Sequence, residues 1–286
     1  MTLSLKWIDP LPSQPPENFS GSVNRNFVAF DFAHGGRLAR WNYGEHELIG
    51  AFGSDPVEHG FYIMAPWAGR LSNNSLTWAG QSMEFPCNYG EFALHGFALN
   101  TPPDSVFIEQ SADLITVVTT HHIKGWLGSL VIEASWHIHA ESLITTLRAT
   151  TSSSEPVPVL MGWHPWFRNQ LGEGQTLSVD FSQAEIAVRE GSLPIGQMNP
   201  STISDGPFDD AFRIPNKTVN LRWGNDLALR VTSSHEWFVV FNQLKDFTCV
   251  EPQNGPPNVF EHSLGCQTYT ATQDEPLELR AEWSFI

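Results

Sequence analysis

Three short segments place proton-handling side chains where an apolar run stops. His164 lies in LMGWHPWFRN, just after an apolar stretch and directly before Pro165, which biases the histidine toward an extended backbone. Glu251 ends the run 248–250 in CVEPQNGPPNVF and is again followed by a proline. His95 lies in EFALHGFALN, where Gly96 permits a sharp turn or a close approach of backbone to a ligand. A carboxylate closing a buried strand has its pKa moved by desolvation, and an imidazole titrates near neutrality. Such a pair can be tuned into a general base and a general acid. Trp163, Trp166 and Phe167 beside His164 suit the wall of a cleft, and a pyranose C–H face packs well on an indole.

The elements that must carry these residues read as strands. Leu277, Leu279, Ala281, Trp283 and Phe285 alternate with Glu278, Arg280, Glu282 and Ser284. Leu130, Ile132, Ala134, Trp136 and Ile138 alternate in the same way with Val131, Glu133, Ser135 and His137. Shorter candidates cover 27–33, 115–120, 143–150, 157–160, 177–181, 219–223, 227–231 and 237–242. Strict alternation puts one set of side chains on a buried face and the other toward water or a second layer. No window sustains a helical apolar stripe, and 22 Gly and 20 Pro punctuate the chain evenly. Many short strands with turn signals between them predict an all-β sandwich or barrel, and the absence of a fixed repeat argues against a propeller. We expect one large antiparallel sandwich domain over 19–286, preceded by an arm at 1–18.

Composition narrows the function. The 286 residues hold 15 Lys plus Arg against 31 Asp plus Glu, a formal charge of −16. That balance argues against nucleic acid or an anionic membrane as partner, because both need basic surface. Cys87, Cys249 and Cys266 are odd in number and widely spaced, which predicts neither a disulfide framework nor a zinc site and fits a reducing cytoplasm. No stretch approaches a membrane span, and the N-terminus lacks a signal-peptide apolar core.

Taken together, LHGF (94–97), HPWF (164–167), FDDAF (208–212) and VEPQNGPPN (250–258) resemble, in order, the motifs of aldose 1-epimerases, the galactose mutarotase-like enzymes. The stretch APWAGRLSNNSLTWAG (65–80) is similar to that family's Pro-Phe-x-Asn-Arg-Ile segment, and GWLGSLVIEASWHIH (125–139) to its Gly-aromatic-x-Gly strand. The resemblance implies a galactose mutarotase-like antiparallel supersandwich, a free aldohexose as small-molecule partner, no cofactor, no metal, and a cytoplasmic monomer or homodimer. It implies that Glu251 takes the C1 hydroxyl proton, His164 donates to the ring oxygen, and His95 binds and polarises near that oxygen. Arg70 and Asp209 would bond sugar hydroxyls, and Trp166 would line the cleft. Asp210 competes with Asp209; in an extended segment the two face opposite ways, so only one should reach the site. The sequence departs from the family at Gly69, usually Asn, at the FAL before His95, and at Pro-Gln-Asn after Glu251. The account needs Glu251 and an imidazole from mid-chain to meet across one hollow, far enough apart to straddle a six-membered ring.

Other readings stay open at this point. A hexose-6-phosphate 1-epimerase needs extra cations for the phosphate, with Arg37, Arg40 and Arg168 as candidates. A metal-dependent barrel is suggested by His137-x-His139 with Glu141, although a polar strand face explains these as well. The adjacent His121 and His122 should point to opposite faces. A non-catalytic carbohydrate-binding sandwich needs the aromatics and not the acid–base pair.

Overall fold

The computed structural model describes residues 18–50, 55–173, 175–201, 206–267 and 269–286. Among them the chain forms strands and two short 3-10 turns and no α-helix. The expected arm therefore lies outside the described residues except for Asn18, whose N–H donates to Phe30 O and whose side chain caps Phe32 N–H at 2.7 Å. Every strand pair is antiparallel, in an eleven-stranded and an eight-stranded sheet with two small ribbons. No helix among the described residues is long and apolar enough to cross a membrane.

The alternating segments fall where their patterns put them. Leu130–Ile138, Ser142–Thr151 and Leu277–Phe285 run side by side in the smaller sheet, with Ala134, Leu147 and Leu279 among the buried set. The 157–160 candidate shrinks to the pair Val157–Pro158; beyond it the Val159 N–H still donates to Tyr269 O, and the Leu160 N–H turns to Pro66 O.

The core between the two sheets is aromatic. Phe61 of the large sheet sits 4.9 Å from Trp136 and 5.0 Å from Trp283 of the small one, ring centre to ring centre, in edge-to-face contacts. Trp163 packs edge-on to Trp136 at 4.6 Å, and Phe167 to Trp223 at 5.9 Å. Edge-to-face geometry suits the ring quadrupoles, so these contacts fix the sheets relative to each other as well as excluding water. The same strands present Tyr62, His164, Trp166, Cys249 and Glu251 to their opposite face, where a second apolar cluster with Leu94, Leu160 and Val259 encloses them.

Candidate active site

The neighbouring strands Phe61–Met64, Gly162–Arg168, Phe247–Gln253, Trp237–Phe241 and Asp209–Arg213 hold the site. Their register pairs His164 with Tyr62, Glu251 with Val239, and Val239 with Ala211. Between strands Gly162–Arg168 and Phe247–Gln253 the ladder pairs Gly162 with Gln253 and Trp166 with Cys249. The same register sets His164 directly opposite Glu251, so Tyr62, His164, Glu251, Val239 and Ala211 form one row across the sheet. Side chains directly opposite on neighbouring strands are within reach of each other. Pro165 and Pro252 follow the histidine and the glutamate and carry no N–H, and the ladder makes no pairs at the three positions between its two ends. The prolines read in the sequence as extended-chain signals thus also open the ladder at the His164–Glu251 pair.

His164 Nε2 lies 3.2 Å from Glu251 Oε1, with side chains only 6% and 3% exposed. The two touch instead of straddling a ring. Both oxygens they would serve are bonded to the same sugar carbon, so adjacency is what that chemistry needs, and the cross-strand register supplies it. Burial lowers the His164 pKa to about 3 and raises that of Glu251 well above the carboxylate range, with the Asp209 charge adding to the rise. Burial in the cleft therefore favours a neutral imidazole against a protonated carboxyl.

Aromatic rings hold His164 in place. Tyr62 stacks on its ring at 4.6 Å and 20°, and Trp166 at 5.2 Å and 24°. The Tyr62 hydroxyl and the Trp166 indole N–H both donate to the carbonyl of Val57, at 2.8 and 2.9 Å. Trp166 does border the cleft, but it is 4% exposed and its ring is committed to His164. Its placement suits support of the imidazole more than an open stacking platform for a sugar.

His95 approaches from a loop. Its φ is +61°, its N–H donates to Gly69 O at 3.0 Å, and the Gly69 N–H donates back to His95 Nδ1 at 3.1 Å. Accepting at Nδ1 fixes the neutral tautomer, leaving the proton on Nε2 as a donor. Burial and the neighbouring His164 and Arg70 push its pKa well down, which keeps it neutral. Its ring stands edge-on to His164 at 4.9 Å. Gly69 has φ +71°, and a Cβ there would come within 2.7 Å of Pro257 Cβ, so the asparagine usual in the family has no room. Gly96 likewise abuts Ala65, whose carbonyl oxygen would lie 2.2 Å from an added Cβ.

These groups line one cleft of about 940 Å³, counted with its open mouth. Arg70 Nη1 is 3.6 Å from Asp209 Oδ2 on one side. Both aspartates of FDDAF reach the cleft, contrary to the expectation that only one would. Asp210 turns back at the strand end: its Oδ2 accepts from Asp209 N–H at 3.1 Å, and its Oδ1 is 2.7 Å from Arg189 Nε. Arg189 comes from the hairpin Ala184–Glu190 and Leu193–Ser201, whose register shifts between Val188 and Arg189. Bulges of this kind re-aim side chains.

The remaining sequence candidates lie elsewhere. Arg37 is fully buried behind Tyr62 and donates to the carbonyls of His34, Pro56, His59 and Leu99. Arg168 and Arg40 both pair with Glu47. None of the three lines the cleft. His137 bonds Thr116 while Glu141 accepts from the Tyr43 hydroxyl, and the suspected metal set is not brought together. His121 is buried and His122 is exposed beside Asp104, on opposite faces as expected. The described residues do gather one metal-capable trio, His164, Cys249 and Glu251, with donor atoms within 4.8 Å of one another. Burial, with the Asp209 charge adding to it, holds the Cys249 thiol protonated, which disfavours a thiolate ligand.

Sequence reasoning missed Tyr62, Arg189 and Gln253. Tyr62 is hidden in FYIM, a run apolar on both faces. No sequence signal marked Arg189, whose aim depends on the bulge. Gln253 was legible, since a residue two beyond Glu251 on a strand shares its face.

The family model for aldose 1-epimerase matches residues 24–274. A galactose mutarotase-like protein from Clostridium acetobutylicum superposes with a TM-score of 0.81 at 16% identity, covering 93% of this chain and 94% of its own. The galactose 1-epimerase of Lactobacillus acidophilus NCFM gives 0.74 at 16%, covering 93% and 92%. An uncharacterized Escherichia coli K12 protein, YphB, is 27% identical over 108 residues, which are 37% of this chain and 36% of that relative's length. The solved structures share the fold, and the family model spans most of the sequence: this chain belongs to the aldose 1-epimerase family.

Proposed function

We propose that the protein interconverts the α and β anomers of a free aldohexose by general acid–base catalysis. The observation that carries this reading is the buried cross-strand contact between Glu251 and His164 inside the cleft. The pair holds one mobile proton. With that proton on His164, the Glu251 carboxylate takes the C1 hydroxyl proton, the C1–O5 bond breaks, and O5 receives the proton from His164. The products are an open-chain aldehyde, a protonated Glu251 and a neutral His164, which is the protonation state that burial favours. Rotation about C1–C2 presents the other carbonyl face. His164 then withdraws the O5 proton, O5 attacks C1, and Glu251 returns a proton to the new C1 hydroxyl. His95 donates Nε2–H near the ring oxygen, and Arg70 with Asp209 anchors hydroxyls. Atoms and electrons balance without an external oxidant or reductant, so the reaction as written needs no redox cofactor.

The charge of the cleft supports an unphosphorylated sugar. Arg70 and Arg189, the two arginines that line it, each face an aspartate, and Glu58 and Glu251 add further carboxyl groups. A phosphate there would have to displace an aspartate from its guanidinium. The acid–base pair also distinguishes this reading from a sugar-binding module, which has no use for it. Three free cysteines suit a reducing compartment, and we place the enzyme in the cytoplasm. Polarimetry on freshly dissolved α-glucose and α-galactose tests the activity. Acceleration above the buffer rate is expected for one or both, and acceleration confined to the 6-phosphate would overturn the substrate class.

A further inference from the structure

One buried polar group in the cleft is only half satisfied. Gln253 closes strand Phe247–Gln253 on the same face as Glu251, lines the cleft and is 1% exposed. Its Nε2 donates to Glu251 Oε2 at 3.3 Å, while its own Oε1 is shielded from solvent and has no partner. The orientation of the amide follows from its neighbour. Glu251 Oε1 faces His164, so Oε2 remains an acceptor whether the shared proton sits on the glutamate or the histidine, and the NH2 of Gln253 must turn toward it. The fold makes room for this side chain. A Cβ on Gly162, the cross-strand partner, would come within 2.9 Å of Gln253 Cγ, and buried Trp237 flanks the other side in register.

We propose that Gln253 is a positioning residue for Glu251 and that its Oε1 accepts a hydrogen bond from the C2 hydroxyl of the sugar. The second half rests on the anomer-exchange reading. His164, Glu251 and Gln253 follow one another through contacts of 3.2 and 3.3 Å. In a pyranose the ring oxygen, C1 and C2 also follow one another. With the ring oxygen at His164 and the C1 hydroxyl at Glu251, the C2 hydroxyl is the donor that arrives beside Gln253. A buried acceptor without a partner is costly, and a sugar lacking that hydroxyl leaves it so. Gln253 therefore selects 2-hydroxy aldoses over 2-deoxy ones, and it fixes one carboxylate oxygen while the other exchanges its proton.

The test uses Gln253→Met, which keeps length and removes both hydrogen-bonding atoms. Titration of the Glu251 carboxyl by 13C NMR without sugar should move upward in the variant, because a donor to the charged form is gone. An unmoved titration would overturn the positioning role. In anomer exchange, the wild type should favour glucose over 2-deoxyglucose by about 10–100-fold in kcat/KM, and the variant should lose most of that preference. Equal preference in both proteins would overturn the C2 contact. Should the methionine variant not fold, Gln253→Asn, too short to reach Glu251, serves the same comparison with the same expectations. If galactose is the accepted sugar, galactose and 2-deoxygalactose replace this pair; a wild type that exchanges neither glucose nor galactose would overturn the underlying reading and the C2 contact with it, while the titration still decides the positioning role.

Discussion

The two faces of strands Phe61–Met64, Gly162–Arg168 and Phe247–Gln253 share one backbone and differ in almost everything else. Toward the eight-stranded sheet they present Phe61, Ile63, Trp163, Phe167 and Val250, all 0% exposed. Toward the cleft they present Tyr62, His164, Glu251 and Gln253, nearly as buried but polar. On the first face any well-packed apolar set of the right volume would hold the sheets together. On the second, polar groups depend on particular neighbours: Glu251 on His164 and Gln253, and Tyr62 with Trp166 on one carbonyl of Val57. Burial does two jobs here. On the core face it drives folding, and on the cleft face it sets protonation states.

This contrast predicts that stability and activity separate by face. The largest effect should come from Glu251→Gln, which keeps shape and removes the base. Anomer exchange should fall roughly 10²–10⁴-fold with the thermal midpoint nearly unchanged. His164→Asn should behave similarly in saturation-transfer assays, and a wild-type rate in either variant would mean the roles are misassigned.

On the opposite face, Trp163→Ala should lower unfolding free energy by about 3–5 kcal/mol, measured by urea denaturation, through the cavity it leaves against Trp136. The fraction that stays folded should keep its KM. Asp209→Ala, beside Arg70, should raise KM about tenfold with a smaller change in kcat, seen in initial-rate kinetics across sugar concentration. Asp210→Ala distinguishes the two aspartates: its partner is Arg189 at the hairpin, and its effect on KM should be the smaller.

The gentlest test is pH. Burial lowers His59 and His121 to about 4 and His164 to about 3, while the unfolded chain protonates histidine near 6.5. Below about pH 6.5 the unfolded state binds more protons than the folded one, so stability should fall as pH drops from 6.5 toward 4. Glu251, raised by burial, works in the opposite direction. Urea midpoints between pH 7.5 and 4 would show the decline, and a midpoint that rises on acidification would contradict it.

Strands with one face toward the inter-sheet core were legible in the sequence because alternation reveals them, as at Leu130–Ile138 and Leu277–Phe285. Strands buried on both faces were legible only in part: 237–242 was read and forms Trp237–Phe241, whereas others were not. Phe61–Met64 has no alternation to read, and Gly162–Arg168 stood out only through its histidine and proline. The exposed edge strand Ser105–Gln110 lacks a buried face altogether. At the site, residue types named Glu251, His164 and His95, but the Glu251–His164 contact came from cross-strand register and the His95 approach from its loop, neither of which a local pattern encodes. The same holds for Asp210, whose carboxyl turns back at a strand end, and for Arg189, which a bulge brings to the cleft.

In the proposed reaction one buried carboxyl and one buried imidazole, in contact across two strands, pass a proton to and from a sugar. NMR magnetisation exchange between the α and β anomers, run on glucose, galactose and their 6-phosphates with wild type and Glu251→Gln, tests it most directly. The account predicts exchange above the buffer rate for a free aldohexose with wild type and its loss with the variant. Exchange undiminished in the variant, or absent for every free sugar with wild type, would contradict it.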